Sequence, residues 1–154
     1  IYWKFMIKQR KRNPDTKRSI SAPPLVPSSE KKLKELAKKA IYFLKRKYGK
    51  PDEGRHRIVF FDYDNDQVIK VPISDSGIAA NFQELDIQDK HLAITDLDLN
   101  LSIKYGMPIL RMELVKPILM EDLKNLPDWI YDIDMVQVGH TKDGRLVAYE
   151  WDTF

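Results

Sequence analysis

The segment spanning residues 57–84 constrains the fold more than any other part of the chain, because its pattern predicts a β-hairpin followed directly by a helix. The first strand, residues 57–63, is rich in aromatic and β-branched residues. A polar tip follows at residues 64–66, and an alternating return strand occupies residues 67–73. Side chains alternate across a strand, so Ile69 and Val71 are predicted on one sheet face and Lys70 on the other.

The helix after this hairpin is predicted to begin at Asp75 or Ser76, since either side chain can cap its first turn. Its apolar side is formed by three residues at helical spacing, Ile78, Phe82 and Leu85. A lysine on a strand, with a glutamate one helix later, is where a phosphate-binding ion pair could sit. Lys70 and Glu84 are therefore candidate site residues.

The rest of the body predicts further strands and hence an α+β domain. Candidate strands lie at residues 91–96, 102–105, 109–115, 135–139 and 145–151, with a short helical piece at 121–126. The last two strands flank an Asp143-Gly144 turn, a strong hairpin signal. We expect residues 54–154 to form an antiparallel sheet of about five strands with one or two packed helices.

Residues 30–49 predict an amphipathic basic helix. Ser28 or Ser29 can cap it, and Gly49 ends it. Its apolar stripe consists of Leu33, Leu36, Ala37, Ala40 and Leu44, broadened by Ile41 and Phe43. Lysines crowd the opposite face, which favours a helix packed on the domain with a solvated lysine face over a membrane-surface helix.

Residues 1–29 predict an extended basic arm, because basic clusters are followed by a stretch rich in proline and serine. Such an arm cannot offset its ordering entropy alone. We expect it to lie against a partner or, alternatively, to fold back on its own domain. Its predicted partner-binding residues are aromatic anchors and cations: Tyr2, Trp3, Phe5, Arg10, Lys11, Arg12, Lys17 and Arg18.

The charges divide the chain into two parts. Residues 1–50 contain 16 Lys and Arg against 3 Asp and Glu, whereas residues 51–154 contain 10 against 20. The basic charge of the first part therefore predicts that it binds other protein subunits or, alternatively, nucleic acid.

The lack of cysteine excludes disulfides and thiolate metal sites. No apolar run is long enough to span a membrane, so we expect neither secretion nor membrane attachment. Because the chain begins with Ile, we expect it to be a fragment, a processed product or the ordered part of a longer protein.

Short motifs in the body resemble those of the protein-kinase fold. The run Val68-Ile69-Lys70 resembles the kinase strand lysine, and Glu84 resembles its helical partner. The run Gly77-Ile78-Ala79-Ala80-Asn81 is similar to a helix start in small kinase-like proteins encoded by bacteriophages. This resemblance covers about two thirds of the chain. It implies a kinase small-lobe-like fold and, in an active member, ATP and Mg²⁺ as cofactors.

The resemblance also implies roles for individual residues. These are Lys70, Glu84 and Asp132 in catalysis, Arg55, Arg57 and Glu113 in cofactor binding, and Gln137 and Glu150 in metal binding. The backbone of the implied hinge, residues 112–115, would meet an adenine.

Several departures from the kinase pattern favour a protein without catalytic activity. The glycine-rich loop is absent, and Gln137 and Glu150 stand where kinases have asparagine and aspartate. The helices of a kinase large lobe are missing, because about 20 residues separate the implied hinge from Asp132. Phosphoryl transfer depends on positioning and on metal-borne charge, and both are weakened by these changes.

Other site chemistries have weaker signals. The three histidines, His56, His91 and His140, lack metal-ligand spacing. The alternating aspartates Asp62, Asp64 and Asp66 lack the glycine and terminal glutamate of a calcium loop.

Two functional hypotheses remain. The first is a structural or interaction protein of a large assembly, such as a phage virion, anchored through residues 1–29 and requiring no cofactor. It would be found in the virion or the host cytoplasm. The second is a small kinase-like nucleotide-binding phosphotransferase that uses ATP and Mg²⁺.

Overall fold

The computed structural model describes residues 25–87, 89–118, 124–130 and 137–150. Three helices lie in these ranges: α1 (Glu30–Tyr48), α2 (Asp75–Asp86) and α3 (Leu99–Tyr105). The strands there are β1 (Asp52–Glu53), β2 (Arg57–Asp62), β3 (Gln67–Pro72), β4 (Thr95–Leu97), β5 (Leu110–Glu113), β6 (Lys116–Pro117), β7 (Val138–His140) and β8 (Leu146–Ala148). None of the helices in these ranges is both long and apolar enough to cross a membrane.

The larger sheet has five antiparallel strands in the order β1-β2-β3-β5-β4, which confirms the predicted α+β class. The β2–β3 hairpin closes through a short 3₁₀ turn, where the Asp62 side chain accepts a hydrogen bond from the Asn65 amide. Asp66 completes the turn at a φ of 51°, a conformation that aspartate tolerates better than most residues. The predicted polar tip is therefore confirmed.

One face of this sheet packs against α1. The Ser29 side chain caps the helix by accepting a hydrogen bond from the Lys32 amide at 3.1 Å, and the helix ends at Gly49. Leu33, Ala37, Ala40 and Leu44 are buried in one cluster with the strand residues Ile58, Phe60, Ile69 and Val71. The predicted helix packed on the domain is confirmed. Phe43, however, is 50% exposed and does not belong to the buried stripe.

The other face of the sheet is covered by the C-terminal hairpin. Strands β6, β7 and β8 form a separate three-stranded antiparallel sheet, and β7 and β8 are joined by the predicted Asp143-Gly144 turn. Val147 and Tyr149 pack in one buried cluster with Val59, Val68, Met112 and Val115 of the larger sheet and its edge. The larger sheet therefore lies between a helix and a hairpin, with little of either face left open.

One predicted strand was wrong, and a second was confirmed only in part. Residues 102–105 belong to α3, because Asp98 caps its N-terminus and Gly106 ends it in a left-handed conformation. The alternating apolar residues of this segment imitate a strand, but the two caps enclose two helical turns. Residues 91–96 contribute a bridge between Leu92 and Ala148 and the start of β4, which runs to Leu97.

The predicted cap of α2 was also misplaced. Ser74, rather than Asp75 or Ser76, accepts the hydrogen bond of the Gly77 amide at 3.1 Å. Asp75 instead lies in the first turn, where its charge suits the helix N-terminus. This cap fixes the start of α2 beside the end of β3 and so sets which of its side chains point towards the sheet.

Candidate functional site

A buried ion pair joins the middle of β3 to α2. The Lys70 ammonium donates to both Glu84 carboxylate oxygens, at 3.0 Å and 3.1 Å. Lys70 is fully buried and Glu84 is 5% exposed. Lys70 lies on the sheet face opposite Ile69 and Val71, as the alternation predicts, and that face is turned towards α2 and the C-terminal hairpin. The structure thus brings together the first two predicted site residues.

Arg57 shares the same glutamate. Its guanidinium lies 2.9 Å from Glu84 Oε1 and donates to Asn81 Oδ1 at 3.1 Å, and the side chain is fully buried. The register of β2 and β3 pairs Arg57 with Pro72 and Val59 with Lys70, so both cations lie on one face of the sheet. Glu84 is therefore held between two cations, and Arg57 binds a protein carboxylate at the position where cofactor binding was predicted.

Asn81 belongs to this site but was not predicted as a site residue. Its side-chain amide donates to the backbone oxygens of Pro108, at 2.7 Å, and Lys70, at 3.3 Å, while its oxygen accepts from Arg57. Asn81 precedes Glu84 by three residues, which places both on one helix face. Asn81 ends the Gly77–Asn81 run already singled out, and its three-residue spacing from Glu84 is the sequence signal that could have identified it.

The C-terminal hairpin completes the cluster. The backbone oxygen of Glu150 accepts a hydrogen bond from the Lys70 ammonium. An ammonium has three hydrogens to donate, and here two oxygens of Glu84 and one of Glu150 are their acceptors. In this arrangement the lysine has no donor left over for a phosphate oxygen.

The Glu150 side chain is buried in the same region, with 5% of its surface exposed. Its Oε2 atom has no hydrogen-bond partner among the residues that the structure describes. Burial raises the pKa of Glu150 to about 7, against the attraction of Arg57 and Lys70, and the nearby Glu84 charge raises it further. Burial likewise lowers the pKa of Lys70 to about 8, although Glu84 opposes this. Two carboxylates and two cations therefore share one buried site.

The backbone of the implied hinge is engaged within the protein. The Glu113 amide donates to the Ile94 oxygen at 2.9 Å, and the Leu114 amide donates to the Asp66 oxygen at 2.9 Å. The Glu113 carboxylate accepts from the Ile94 amide at 2.7 Å and pairs with Arg145. Glu113 thus connects β5 to the segment before β4 and to the hairpin turn.

Two of the remaining predicted residues, Arg55 and Gln137, lie at the surface, outside the buried cluster. Arg55 is exposed between β1 and β2, and Gln137 is exposed while Glu150 is buried. Among the described ranges no group of three or more histidine, aspartate or glutamate side chains could hold a metal ion. Asp132 lies outside the described residues, as do the predicted partner-binding residues at positions 2–18.

A cleft of about 410 Å³ lies elsewhere, along the connection between α2 and β4. Its lining includes Ile87, Leu92, Ile94 and Thr95, and none of the predicted catalytic, cofactor or metal residues. The buried charge cluster and this cleft are therefore separate features of the fold.

Comparison of the chain with protein-family models, with curated proteins and with solved structures found no match. The kinase resemblance accordingly rests on the sequence motifs of this chain alone.

Proposed function

We propose that this protein is a non-catalytic interaction protein with a kinase small-lobe-like body. It serves in a large assembly, such as a phage particle, and is held there by its basic N-terminal segment. The observation that carries the proposal is the enclosure of Lys70. A lysine that recruits nucleotide phosphates must offer a donor at an accessible surface, whereas Lys70 is fully buried and bonded to Glu84 and Glu150.

The surroundings of Lys70 support the same conclusion. Val147 and Tyr149 of the hairpin pack against Val59 and Val68, on the sheet face to which the lysine belongs. The amides of Glu113 and Leu114 donate to backbone oxygens and not to an open cleft. A nucleotide would have to displace the hairpin and these hydrogen bonds, and it would lose part of its binding energy in doing so.

In a non-catalytic protein the charge cluster has a structural role. Lys70, Arg57 and Glu84 connect the central hairpin to α2, and Asn81 extends the connection to Pro108. Removing one partner of a buried ion pair typically costs about 3–5 kcal/mol, because the other charge is left without compensation. The cluster therefore fixes the packing of α2 on the sheet.

The assembly role is supported by the distribution of charge. Residues 1–29 contain 7 Lys and Arg against 1 Asp, whereas residues 51–154 contain 10 Lys and Arg against 20 Asp and Glu. A basic segment attached to an acidic domain suits a partner with a negative surface, and it disfavours self-association through the segment alone. The aromatic residues Tyr2, Trp3 and Phe5 supply the apolar anchors that such a contact needs.

Deleting residues 1–27 tests the assembly role. We expect the deletion to abolish incorporation into the assembly while the body keeps its unfolding midpoint in urea, since α1 retains its Ser29 cap. Two full-length variants separate the causes: alanine at the three aromatic anchors, and glutamine at the five cations Arg10, Lys11, Arg12, Lys17 and Arg18. Normal incorporation of the deleted protein would refute the anchoring role.

One observation favours a second candidate, a nucleotide-binding phosphotransferase. The Lys70–Glu84 pair at 3.0 Å is the arrangement that active kinases require. For this activity the hairpin carrying Glu150 would have to leave Lys70 and expose it.

A thermal-shift measurement with millimolar ATP and Mg²⁺ distinguishes the two candidates. A ligand at 100 times its Kd adds about 2.7 kcal/mol to the stability of the folded state. For a chain of this size that corresponds to a rise of roughly 5–10 °C in Tm. We expect no rise. A rise that requires Mg²⁺ and disappears in Lys70→Met, but persists in the exposed control Lys90→Met, would support the phosphotransferase and contradict the proposal.

A further inference from the structure

Two aromatic rings lie side by side on the solvent face of α1. Tyr42 is 58% exposed and Phe43 is 50% exposed, and their centroids are 5.6 Å apart in an edge-to-face arrangement. The core accounts for them only in part: the Phe43 centroid lies 6.4 Å from that of the buried Tyr105, while α1 buries its other side, with Leu33, Ala37, Ala40 and Leu44, against the sheet. Exposed rings of this size in the middle of a helix face indicate a contact surface.

Cations surround these rings. Tyr42 has a basic residue at each helical neighbour position, three and four residues away in both directions: Lys38, Lys39, Lys45 and Arg46. The Arg46 guanidinium lies 5.7 Å from the Tyr42 ring centroid, and the Lys104 ammonium of α3 lies 5.2 Å from that of Phe43. We call Lys38, Lys39, Tyr42, Phe43, Lys45, Arg46 and Lys104 the aromatic–cationic face.

The charges of this face are largely uncompensated. Lys45 is 3.9 Å from Glu53, and both side chains are well exposed, so this pair contributes little. Among the residues that the structure describes, no carboxylate lies within ion-pair distance of Lys38, Lys39, Arg46 or Lys104. A concentration of positive charge held on a rigid helix attracts a polyanion and releases its counterions on binding.

We propose that the aromatic–cationic face binds single-stranded nucleic acid. The cations would pair with successive phosphates, and Tyr42 and Phe43 would stack on unpaired bases. A duplex fits less well, since its bases are already stacked and do not reach the rings. This partner is additional to the assembly contact of the N-terminal segment, because the face belongs to the folded body.

Two other polyanionic partners fit the face less well. A membrane-surface helix needs its apolar stripe free to enter the lipid, whereas that of α1 is packed on the sheet. An acidic polypeptide can pair with the cations, but it covers the two rings only where it also carries apolar side chains at matching positions, whereas every nucleobase presents a stacking face. Nucleic acid is the partner that uses both components of the face.

Fluorescence anisotropy of a 12-nucleotide oligothymidylate with the full chain, measured over a series of salt concentrations, tests the proposal. The double variant Tyr42→Ala, Phe43→Ala should bind about fivefold to a hundredfold more weakly for each base that loses its stack. Its salt dependence should match that of the unchanged protein. The triple variant Lys38→Gln, Lys39→Gln, Arg46→Gln should instead lower the slope of log K against log salt by about 2.

The matched control is a second triple variant with the same change in charge on the same helix. It carries Lys31→Gln, Lys32→Gln and Lys34→Gln, at positions eight or more residues before Tyr42. We expect it to alter the slope much less than the first triple variant. All the substituted side chains are exposed, so each variant should keep the unfolding midpoint of the unchanged protein.

Several results would overturn the proposal. Equal effects of the two triple variants would mean that only total charge matters, and unchanged binding by the double variant would mean that the rings are not used. Equal affinity for an abasic strand, for a duplex of the same length, for polyglutamate or for vesicles of anionic lipid would likewise reject single-stranded nucleic acid as the partner.

Discussion

Replacing Glu150 with glutamine should change how the stability of the protein depends on pH. Burial raises the pKa of Glu150 from its ordinary 4.5 to about 7 in the folded state. Between these two values the folded protein holds a proton that the unfolded chain has lost, so the free energy of unfolding falls as the pH rises. A difference of about 2.5 pKa units corresponds to roughly 3 kcal/mol.

Glutamine has nearly the same shape but cannot ionise. Glu150→Gln should therefore match the unchanged protein at pH 4.5, where Glu150 is protonated in the folded state. At pH 8 it should be more stable by roughly 3 kcal/mol, the cost of holding the ionised carboxylate in the buried cluster. The comparison should stop near pH 8, because burial lowers the pKa of Lys70 from 10.5 to about 8. Between these two pH values the unfolded chain holds a proton that the folded protein has lost, so the free energy of unfolding rises with pH for this separate reason.

Urea unfolding of both proteins at pH 4.5, 6 and 8 provides the assay. Groups that lie away from the buried cluster contribute equally to both proteins and cancel in the difference. The exposed Glu53→Gln serves as the control for the loss of one carboxylate, since its side chain is 67% exposed and lies outside the buried cluster. Parallel pH profiles for Glu150→Gln and the unchanged protein, or a less stable variant at pH 8, would refute the reasoning.

Two further predictions concern the packing around the sheet. Arg111→Lys should lower the free energy of unfolding by about 2–3 kcal/mol. One ammonium cannot reproduce the contacts of the guanidinium with Asp62, at 2.8 Å, and with Asp98, at 2.5 Å; a urea midpoint unchanged from the wild type would contradict this. Gly77→Ala should lower the free energy of unfolding by about 1–3 kcal/mol, since the added Cβ would lie closer than 3.0 Å to the His56 backbone oxygen. Ser76→Ala, at the neighbouring exposed position, is its control. A rise of about 1 kcal/mol in the free energy of unfolding of Gly77→Ala, as expected at an unobstructed helical glycine, would show that Gly77 lies farther from the His56 backbone than described.

The sequence was informative where the pattern was local. Alternation in β2 and β3 predicted the hairpin and placed Lys70 on the face opposite Ile69, and the spacing of Leu33, Ala37, Ala40 and Leu44 predicted the buried side of α1. The same reasoning failed at residues 102–105, where alternation imitates a strand. The caps Asp98 and Gly106 were the better signal there.

The candidate site was predictable only in part. The kinase resemblance pairs Lys70 with Glu84, and these residues are 14 positions apart and joined through one helix. The contact of Lys70 with Glu150 spans 80 positions, and no periodicity of the sequence contains it. Whether a lysine recruits a ligand or binds its own chain depends on such distant contacts, and these follow from tertiary packing.

The long reach between Lys70 and Glu150 has a consequence for biosynthesis. During translation, the hairpin of β2 and β3 and helix α2 leave the ribosome well before β8 is made. Until residue 150 has emerged, Lys70 lacks one of its acceptors, and the apolar face around Val59 and Val68 lacks its cover. Closure of the buried cluster therefore requires the distal hairpin, and nascent chains that stall before it leave this apolar face uncovered, which favours aggregation.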